Sequence, residues 1–240
     1  MTAEPVLTET VERAAVPRPS EPAAGTSPTA PEWALRRRVR DLLDQPLQPE
    51  RLTYEEFLAW ADEDILAEWV DGEVLMTSPA SKSHQGIVDF LVAVLRTYVE
   101  ARDLGTVIGA PFQMKLPRSG REPDLLFVAR EHLARLKDTH LEGPADLAVE
   151  VVSPESAGRD RGDKFYEYEH AGIPEYWLVD PEHRRAEFYQ LASDGLYQLV
   201  SPDEAGVYYS RSLPSFWLRV AWLCEPPRVL DALRELGVVS

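Results

Sequence analysis

The stretch LAVEVV, residues 147–152, places an acid inside a run that is otherwise apolar. Five of its six residues are apolar and three are valine, a combination that favours a buried β-strand. An ionised carboxylate in a dry core costs several kcal/mol. Because strand side chains alternate, Glu150 shares one face with Ala148 and Val152. We therefore expect Glu150 to point into a wet cleft and to meet a cation there.

The composition is that of an ordinary globular chain with an acidic surface. The chain has 240 residues, of which 44% are hydrophobic, enough for one domain with a sizeable core. A single cysteine, Cys224, excludes an intrachain disulfide and a cysteine-based zinc site. The formal net charge of -16 opposes unaided binding to nucleic-acid phosphates. With no secretory signal and no apolar run of membrane-spanning length, we expect a cytoplasmic protein without a membrane partner.

The first part of the chain differs in composition from the rest. Residues 1–31 contain six prolines and no apolar periodicity, which predicts a disordered tail rich in proline and alanine. Residues 32–51 are expected to form a short basic helix, over 32–45, and a linker. Its basic run fits either a solvated helix face or a nucleic-acid contact. Residues 52–240 are expected to form a single domain.

Short local signals mark the start of this domain. Thr53 and Glu56 form a capping-box pattern, which predicts a helix over 54–61. The stretch AEWVDGEVLM predicts two strands joined at Asp71 and Gly72, since Asp-Gly favours the type I′ hairpin turn.

The remaining pattern predicts an α/β fold. An apolar stripe predicts a long helix over 83–102, with Gly105 just past its end. Further strands are expected over 106–108, 112–116, 124–129, 147–152, 175–180, 185–191 and 196–200, and further helices over 159–170 and 228–236. These elements add up to a mixed central β-sheet flanked by helices, with extra hairpins.

A second acid is available to share a cation with Glu150. Asp124 follows Pro123 and opens the apolar run DLLFV. If the two strands are neighbours, both carboxylates converge on one divalent ion. Mg²⁺ suits such a pair, because it leaves its other positions to water and phosphate oxygens. We expect Mn²⁺ to substitute for it.

A lysine follows on the next predicted helix. Asp160, Lys164 and Tyr168 are spaced by four residues and therefore line one helix face. The helix leaves the end of the Glu150 strand, so the Lys164 ammonium is expected to reach the acid pair. Two acids, a divalent ion and a lysine are the components of phosphodiester cleavage.

Each of these residues also has a plainer explanation when taken alone. Glu150 fits a strand end or an ion-pair partner, and Asp124 fits a turn before a strand. Asp160 and Lys164 fit an ordinary surface pair on a helix. Only the joint arrangement favours a metal site.

Three stretches in sequence order resemble a known signature: EPDLLFV, GPADLAVEVVSPES and RDRGDKFYEYEHAGIPEYWLVDP. They are similar to the Uma-type restriction endonucleases of the PD-(D/E)XK nuclease superfamily, and the resemblance extends over roughly residues 52 to 223. It implies a restriction-endonuclease-like core and Mg²⁺-dependent hydrolysis of phosphodiester bonds by an endonuclease, with DNA as the expected substrate.

The resemblance also implies roles for single residues. Asp124 matches the acid of the Pro-Asp motif and Glu150 the acid of the second half-motif, and both are expected to hold the metal. The superfamily lysine two residues after that acid is replaced here by Val152. Lys164, on the following helix, is expected to take its place as the third catalytic residue.

Four residues are secondary candidates. Glu68 resembles the N-terminal acid that often joins such sites, and Glu73 competes with it across the hairpin turn. His84 is expected to position phosphate or water, with a plain helix start as its alternative. Asp160 is included because it shares the helix face of Lys164.

The departure at Val152 and the acidic net charge leave a second hypothesis open. It describes a nuclease fold with weak or no catalysis that acts as a binding or interaction module. A nuclease acting on DNA requires local positive charge, so we expect a basic rim around the cleft, formed by Arg118, Arg121, Arg159, Arg161 and Lys164. Cutting both strands commonly implies a homodimer.

Overall fold

The computed structural model describes residues 51–61, 65–76, 80–153 and 156–240. The predicted tail over 1–31 and the predicted basic helix over 32–45 lie outside these residues. In the part of the chain that is described, no helix is long and apolar enough to cross a membrane.

The first helix begins where the capping box predicts. Helix α1 is Tyr54–Trp60. The Thr53 hydroxyl accepts the Glu56 amide at 3.2 Å, and the Glu56 carboxylate accepts the Thr53 amide at 2.8 Å. This reciprocal pair satisfies two amide groups that a helix start otherwise leaves without partners.

The predicted hairpin follows. Strands β1 (Ala67–Val70) and β2 (Glu73–Met76) pair in antiparallel fashion. Asp71 and Gly72 connect them with φ values of 50° and 93°, the left-handed conformations that a type I′ turn requires.

Helix α2, Lys82–Ala101, is the long helix that the apolar stripe predicts. The Ser81 hydroxyl caps its start by accepting the His84 amide at 3.2 Å. Its buried face carries Ile87, Val88, Phe90, Leu91, Val94, Leu95, Tyr98 and Val99. Burial of this face fixes the helix against the sheet described next.

The remaining elements form the sheets and the last helices. Eleven further strands occur in the described residues: β3 Gly105–Gly109, β4 Gln113–Leu116, β5 Ser119–Arg121, β6 Leu125–Ala129, β7 His140–Glu142, β8 Leu147–Val151, β9 Glu175–Asp180, β10 Arg185–Leu191, β11 Tyr197–Leu199, β12 Val207–Tyr209 and β13 Trp217–Arg219. Short 3₁₀ helices cover Arg130–Arg135 and Val220–Leu223, and the last α-helix is Val229–Glu235.

Two larger sheets organise the described residues. A six-stranded sheet has the order β11-β10-β9-β8-β6-β3, and a five-stranded sheet has the order β2-β1-β5-β4-β7. Strands β8 and β9 run parallel, whereas β6 and β8 run antiparallel, so the six-stranded sheet is mixed as predicted. Strands β12 and β13 form a separate hairpin.

The predicted helix over 159–170 is two helices. Helix α3 is Ala157–Arg161 and helix α4 is Asp163–Ala171. They meet at Gly162, whose ψ of -94° departs from helical geometry. Helix α4 ends at Gly172, which adopts the left-handed conformation that favours glycine.

The six-stranded sheet is covered on both faces. Val149, Val151 and Trp177 pack with α2 on one face. Ala148, Val152 and Leu178 face the other side, where Tyr168 of α4 and residues of the five-stranded sheet complete a second apolar cluster. Because side chains alternate, Glu150 projects toward this second side.

Candidate active site

Of the two predicted metal ligands, Glu150 lies on β8 and Asp124 directly precedes the adjoining strand β6. Strands β6 and β8 pair with Leu125 opposite Val149, and one further step in this register sets Asp124 opposite Glu150. Opposed positions on paired strands have Cβ atoms about 4.5–5.5 Å apart. Both acids line one open cleft with a volume of about 1300 Å³. The expectation that their strands are neighbours is confirmed.

The Glu150 carboxylate is held through one of its two oxygens. Its Oε1 accepts hydrogen bonds from Lys164 Nζ at 2.9 Å and from the Tyr168 hydroxyl at 2.8 Å. Among the residues that the structure describes, its Oε2 has no hydrogen-bond partner. Glu150 is 3% exposed, so these two donors fix the carboxylate while one oxygen stays available.

The Asp124 carboxylate is likewise held through one of its two oxygens. Its Oδ2 accepts the backbone amide of Val151 at 2.7 Å and lies 3.2 Å from Nε2 of His84. Its Oδ1 has no hydrogen-bond partner within the described ranges. His84 reaches this acid from the first turn of α2, so the structure brings this secondary candidate into the cleft.

Lys164 lies at the centre of three carboxylates. Its Nζ is 2.9 Å from Oε1 of Glu150, 2.9 Å from Oε1 of Glu68 and 3.7 Å from Oδ1 of Asp160. The predicted four-residue spacing therefore places Asp160 and Lys164 together despite the break at Gly162. Asp160 is 1% exposed, and its Oδ1 has no hydrogen-bond partner in the described part of the chain.

A second layer of residues supports Glu68. The Arg121 guanidinium donates to Oε2 of Glu68 at 3.1 Å and to Glu167 at 2.8 Å, and the Glu122 amide donates to Oε1 of Glu68 at 3.2 Å. Sequence reasoning did not find the roles of Tyr168, Glu122 and Glu167. The position of Tyr168, one helical turn after Lys164, is the signal that marks it.

The structure does not bring Glu73 into this group. Glu73 is exposed on β2 opposite Val70 and does not line the cleft. Strand alternation does not separate the two acids, since Glu73 lies opposite Val70, on the face that Glu68 shares. Their places along the hairpin differ: Glu73 directly follows the turn, whereas Glu68 lies toward the other end of β1, beside Arg121.

The predicted basic rim is mostly wrong. Arg118 pairs with Asp71, Arg121 is buried beneath the cleft, and Arg161 pairs with Asp180 and Glu187. Of the five predicted members, only Arg159 and Lys164 line the cleft. The other three arginines form ion pairs with carboxylates close to them.

The electrostatics of the site favour an added cation. Burial raises the pKa of Glu150 well above its usual value; Lys164 opposes this, and the nearby Asp160, Asp124 and Glu68 add to it. Burial also raises the pKa of Asp160 and that of Glu122. Burial is the largest cause of each shift, and the neighbouring acids add to it.

The pKa values of three other groups shift toward their charged forms. Burial alone favours the neutral amine, but Glu150, Glu68 and Asp160 raise the pKa of Lys164 above its usual value. Burial acts against ionisation of Glu68 as well, yet Lys164 and Arg121 lower its pKa. The hydrogen bond to Asp124 raises the pKa of His84.

The donor set fits a hard divalent cation. Within the described residues, no three His, Cys, Asp or Glu side chains already form a metal site. Mg²⁺ needs only one or two carboxylates, with water and phosphate oxygens in the other positions. The unbonded oxygens of Asp124 and Glu150 supply that pair.

A mixed sheet flanked by helices, with one acid on a strand and a second directly before the adjoining strand, defines the class: a protein of the nuclease fold. A solved structure supports this class, that of a protein described as a putative nuclease belonging to DUF820 from Anabaena variabilis. It matches with a TM-score of 0.62 and 16% identity, covering 72% of this chain and 98% of that one.

The chain belongs to the Uma2 family, described as "Putative restriction endonuclease", whose model matches residues 54–221. The predicted family and the predicted restriction-endonuclease-like fold are thereby confirmed. No curated protein matches the chain.

Proposed function

We propose that this chain is an endonuclease that hydrolyses phosphodiester bonds in DNA, with Mg²⁺ held by Asp124 and Glu150. One observation carries the proposal: each acid is fixed by the protein through one oxygen and leaves the other free at the cleft. Family membership supports the reaction class, since the family is described as "Putative restriction endonuclease".

The chain's own residues orient the acid pair. The Val151 amide and His84 hold Asp124, and Lys164 and Tyr168 hold Glu150. Mg²⁺, when bound, supplies an activated water and offsets the charge of the reacting phosphate. Rigid carboxylates lose little freedom when the ion binds, which favours affinity.

Lys164 acts as a fixed positive donor. The surrounding acids raise the pKa of its ammonium, so the group stays protonated and cannot accept a proton from water. An ammonium of this kind orients the attacking water and stabilises negative charge that develops on the phosphate. It does so from a helix, while Val152 packs in the apolar cluster.

Plasmid DNA tests the proposal directly. Purified full-length chain with Mg²⁺ or Mn²⁺ is expected to nick or linearise plasmid, and the Glu150→Gln variant is expected to leave it intact. Glu73→Gln removes an exposed acid of the same type outside the cleft and is expected to cut like the wild type.

The opposite outcome is equally clear. Equal cutting by the wild type and Glu150→Gln would point to a contaminating nuclease. An intact plasmid throughout, with Mn²⁺ bound by the wild type, would favour the alternative of a nuclease-fold binding module.

A further inference from the structure

Two cationic side chains that line the cleft form no ion pair with a carboxylate of the described residues. Six acids and three lysine or arginine side chains line it among the described residues. Lys164 is buried between Glu150 and Glu68. The other two, Lys82 and Arg159, have no ion pair in the part of the chain that the structure describes.

Arg159 carries a buried donor without an acceptor. Its Nε is shielded from solvent and has no hydrogen-bond partner in the described residues. A buried donor left in this state is unfavourable, and a ligand oxygen that accepts from it removes that cost. The planar guanidinium presents Nε and a terminal nitrogen side by side, the geometry that a phosphate accepts.

The position of Arg159 relates it to the acid pair. It precedes Asp160 on α3, the helix that follows β8 and its Glu150. Asp160 in turn lies 3.7 Å from Lys164. A phosphate on Arg159 therefore lies within the same cleft as the predicted metal ligands.

Lys82 approaches from another element. It is the first residue of α2, is exposed and lines the cleft two residues before His84, which contacts Asp124. Its ammonium is a mobile point charge suited to a phosphate of variable position. The two free cations thus belong to the two elements that flank the acid pair, α3 after β8 and the start of α2.

The acids of the cleft make these two cationic residues important for binding a polyanion. Glu182 and the buried acids repel a polyanion, and the net charge of the chain is -16. A strand that enters the cleft needs compensating contacts, and Arg118, Arg121 and Arg161 already bind acids.

We infer that Arg159 and Lys82 form a phosphate-binding subsite, in which each cation holds a phosphodiester group of the nucleic-acid strand that lies over Asp124 and Glu150. The inference rests on the proposed function and deepens it by naming the residues that position the substrate backbone.

Binding of a short fluorescent DNA duplex tests the subsite without cleavage. The Glu150→Gln chain with Mg²⁺ serves as background, and anisotropy is measured over a range of salt concentrations. Adding Arg159→Met is expected to raise Kd about 10-fold, because it removes charge-assisted hydrogen bonds. Each of Arg159→Met and Lys82→Met is expected to reduce the salt slope of log K by about 1.

Arg118→Met provides the matched control, since it removes one arginine charge that lies outside the cleft and pairs with Asp71. Its Kd and salt slope are expected to stay unchanged. Equal weakening by Arg118→Met, or an unchanged slope in Arg159→Met, would overturn the subsite.

The two proposals fail separately. Plasmid cutting by the wild type together with unaltered binding by Arg159→Met would remove the subsite and keep the nuclease. A reduced salt slope of log K in Arg159→Met, together with no plasmid cutting by the wild type, would keep the subsite and remove the catalytic function.

Discussion

Two buried glutamates on neighbouring strands are accommodated in different ways. Glu175, at the start of β9, is 0% exposed and accepts five hydrogen bonds of 2.6–2.9 Å. Its donors are Trp177 Nε1, the Tyr208 hydroxyl, the Ser210 hydroxyl and the backbone amides of Arg211 and Ser212. All five are neutral groups, and they tie the strand to the segment before β13.

Glu150, on β8, has two such bonds and one free oxygen. Its two donors are the Lys164 ammonium and the Tyr168 hydroxyl, and its other charged neighbours are acids. The comparison teaches that burial alone does not mark a functional carboxylate. A structural acid has its oxygens satisfied by fixed neutral donors, whereas the acid at the cleft is left short of partners.

Loss of the ammonium at the cleft is expected to have the largest effect. Lys164→Met leaves three acids facing one another, and breaking a buried charge group in this way costs about 3–5 kcal/mol. Chemical denaturation in EDTA measures the loss, and Mg²⁺ is expected to restore more stability to this variant than to the wild type.

Lys115→Met is the control, because Lys115 pairs with Glu55, whose side chain is 78% exposed. Surface pairs of this kind contribute about 1 kcal/mol or less. A Lys164→Met chain as stable as the Lys115→Met chain would contradict the charge balance described for the site.

Substitution of Glu150 is expected to change metal binding and stability in different ways. Glu150→Gln is expected to weaken Mn²⁺ binding by more than about 100-fold, since loss of even an outer partner costs 10–100-fold. Stability without metal is expected to be at least that of the wild type, because a costly buried charge is gone. Calorimetric titration and thermal unfolding measure the two quantities.

Glu182→Gln removes an exposed acid from the same cleft and is expected to bind Mn²⁺ like the wild type. If both variants lose affinity alike, general negative charge holds the ion and Glu150 has no special role.

Glu175→Gln is expected to show the reverse pattern. The amide nitrogen would meet donors where an oxygen accepts now, which costs about 2 kcal/mol of unfolding free energy. Mn²⁺ affinity of the folded chain is expected to be unchanged. Glu235→Gln, at an exposed pair with Arg219, is the control for stability.

Tyr168→Phe gives the smallest expected effect and tests the fixing of Glu150. It removes only the hydroxyl that donates to Oε1, so Mn²⁺ affinity is expected to fall about 10-fold. The aromatic ring stays packed against Tyr176. Unchanged affinity would show that Lys164 alone orients the carboxylate.

Local signals in the sequence predicted much of the fold. The capping box at Thr53, the turn at Asp71 and the stripe of α2 each depend on residues close in sequence, and each is confirmed. Strands β5, β7, β12 and β13 were missed. Val207–Tyr209 and Trp217–Arg219 are only three residues long, and Ser119–Arg121 and His140–Glu142 contain almost no apolar residues. Their pairing depends on partners distant in the chain.

The candidate site likewise contains residues that local patterns predict and contacts that they do not. The positions of Asp124, Glu150 and Lys164 could be predicted, since an acid in an apolar strand and a four-residue helix spacing are local patterns. The contact of Lys164 with Glu68 spans 96 positions, and no local pattern signals it. The choice between Glu68 and Glu73 depended on which end of the hairpin lies beside Arg121, a contact between distant parts of the chain.

The position of Lys164 in the sequence also affects how proteins with this arrangement are found and engineered. Val152, which occupies the usual lysine position, is 6% exposed and fills the interior instead. A motif search requiring a lysine two residues after the acid would overlook this chain. A search that allows the lysine fourteen positions after the acid would retrieve it, and the strand is then open to redesign for packing without touching the ammonium.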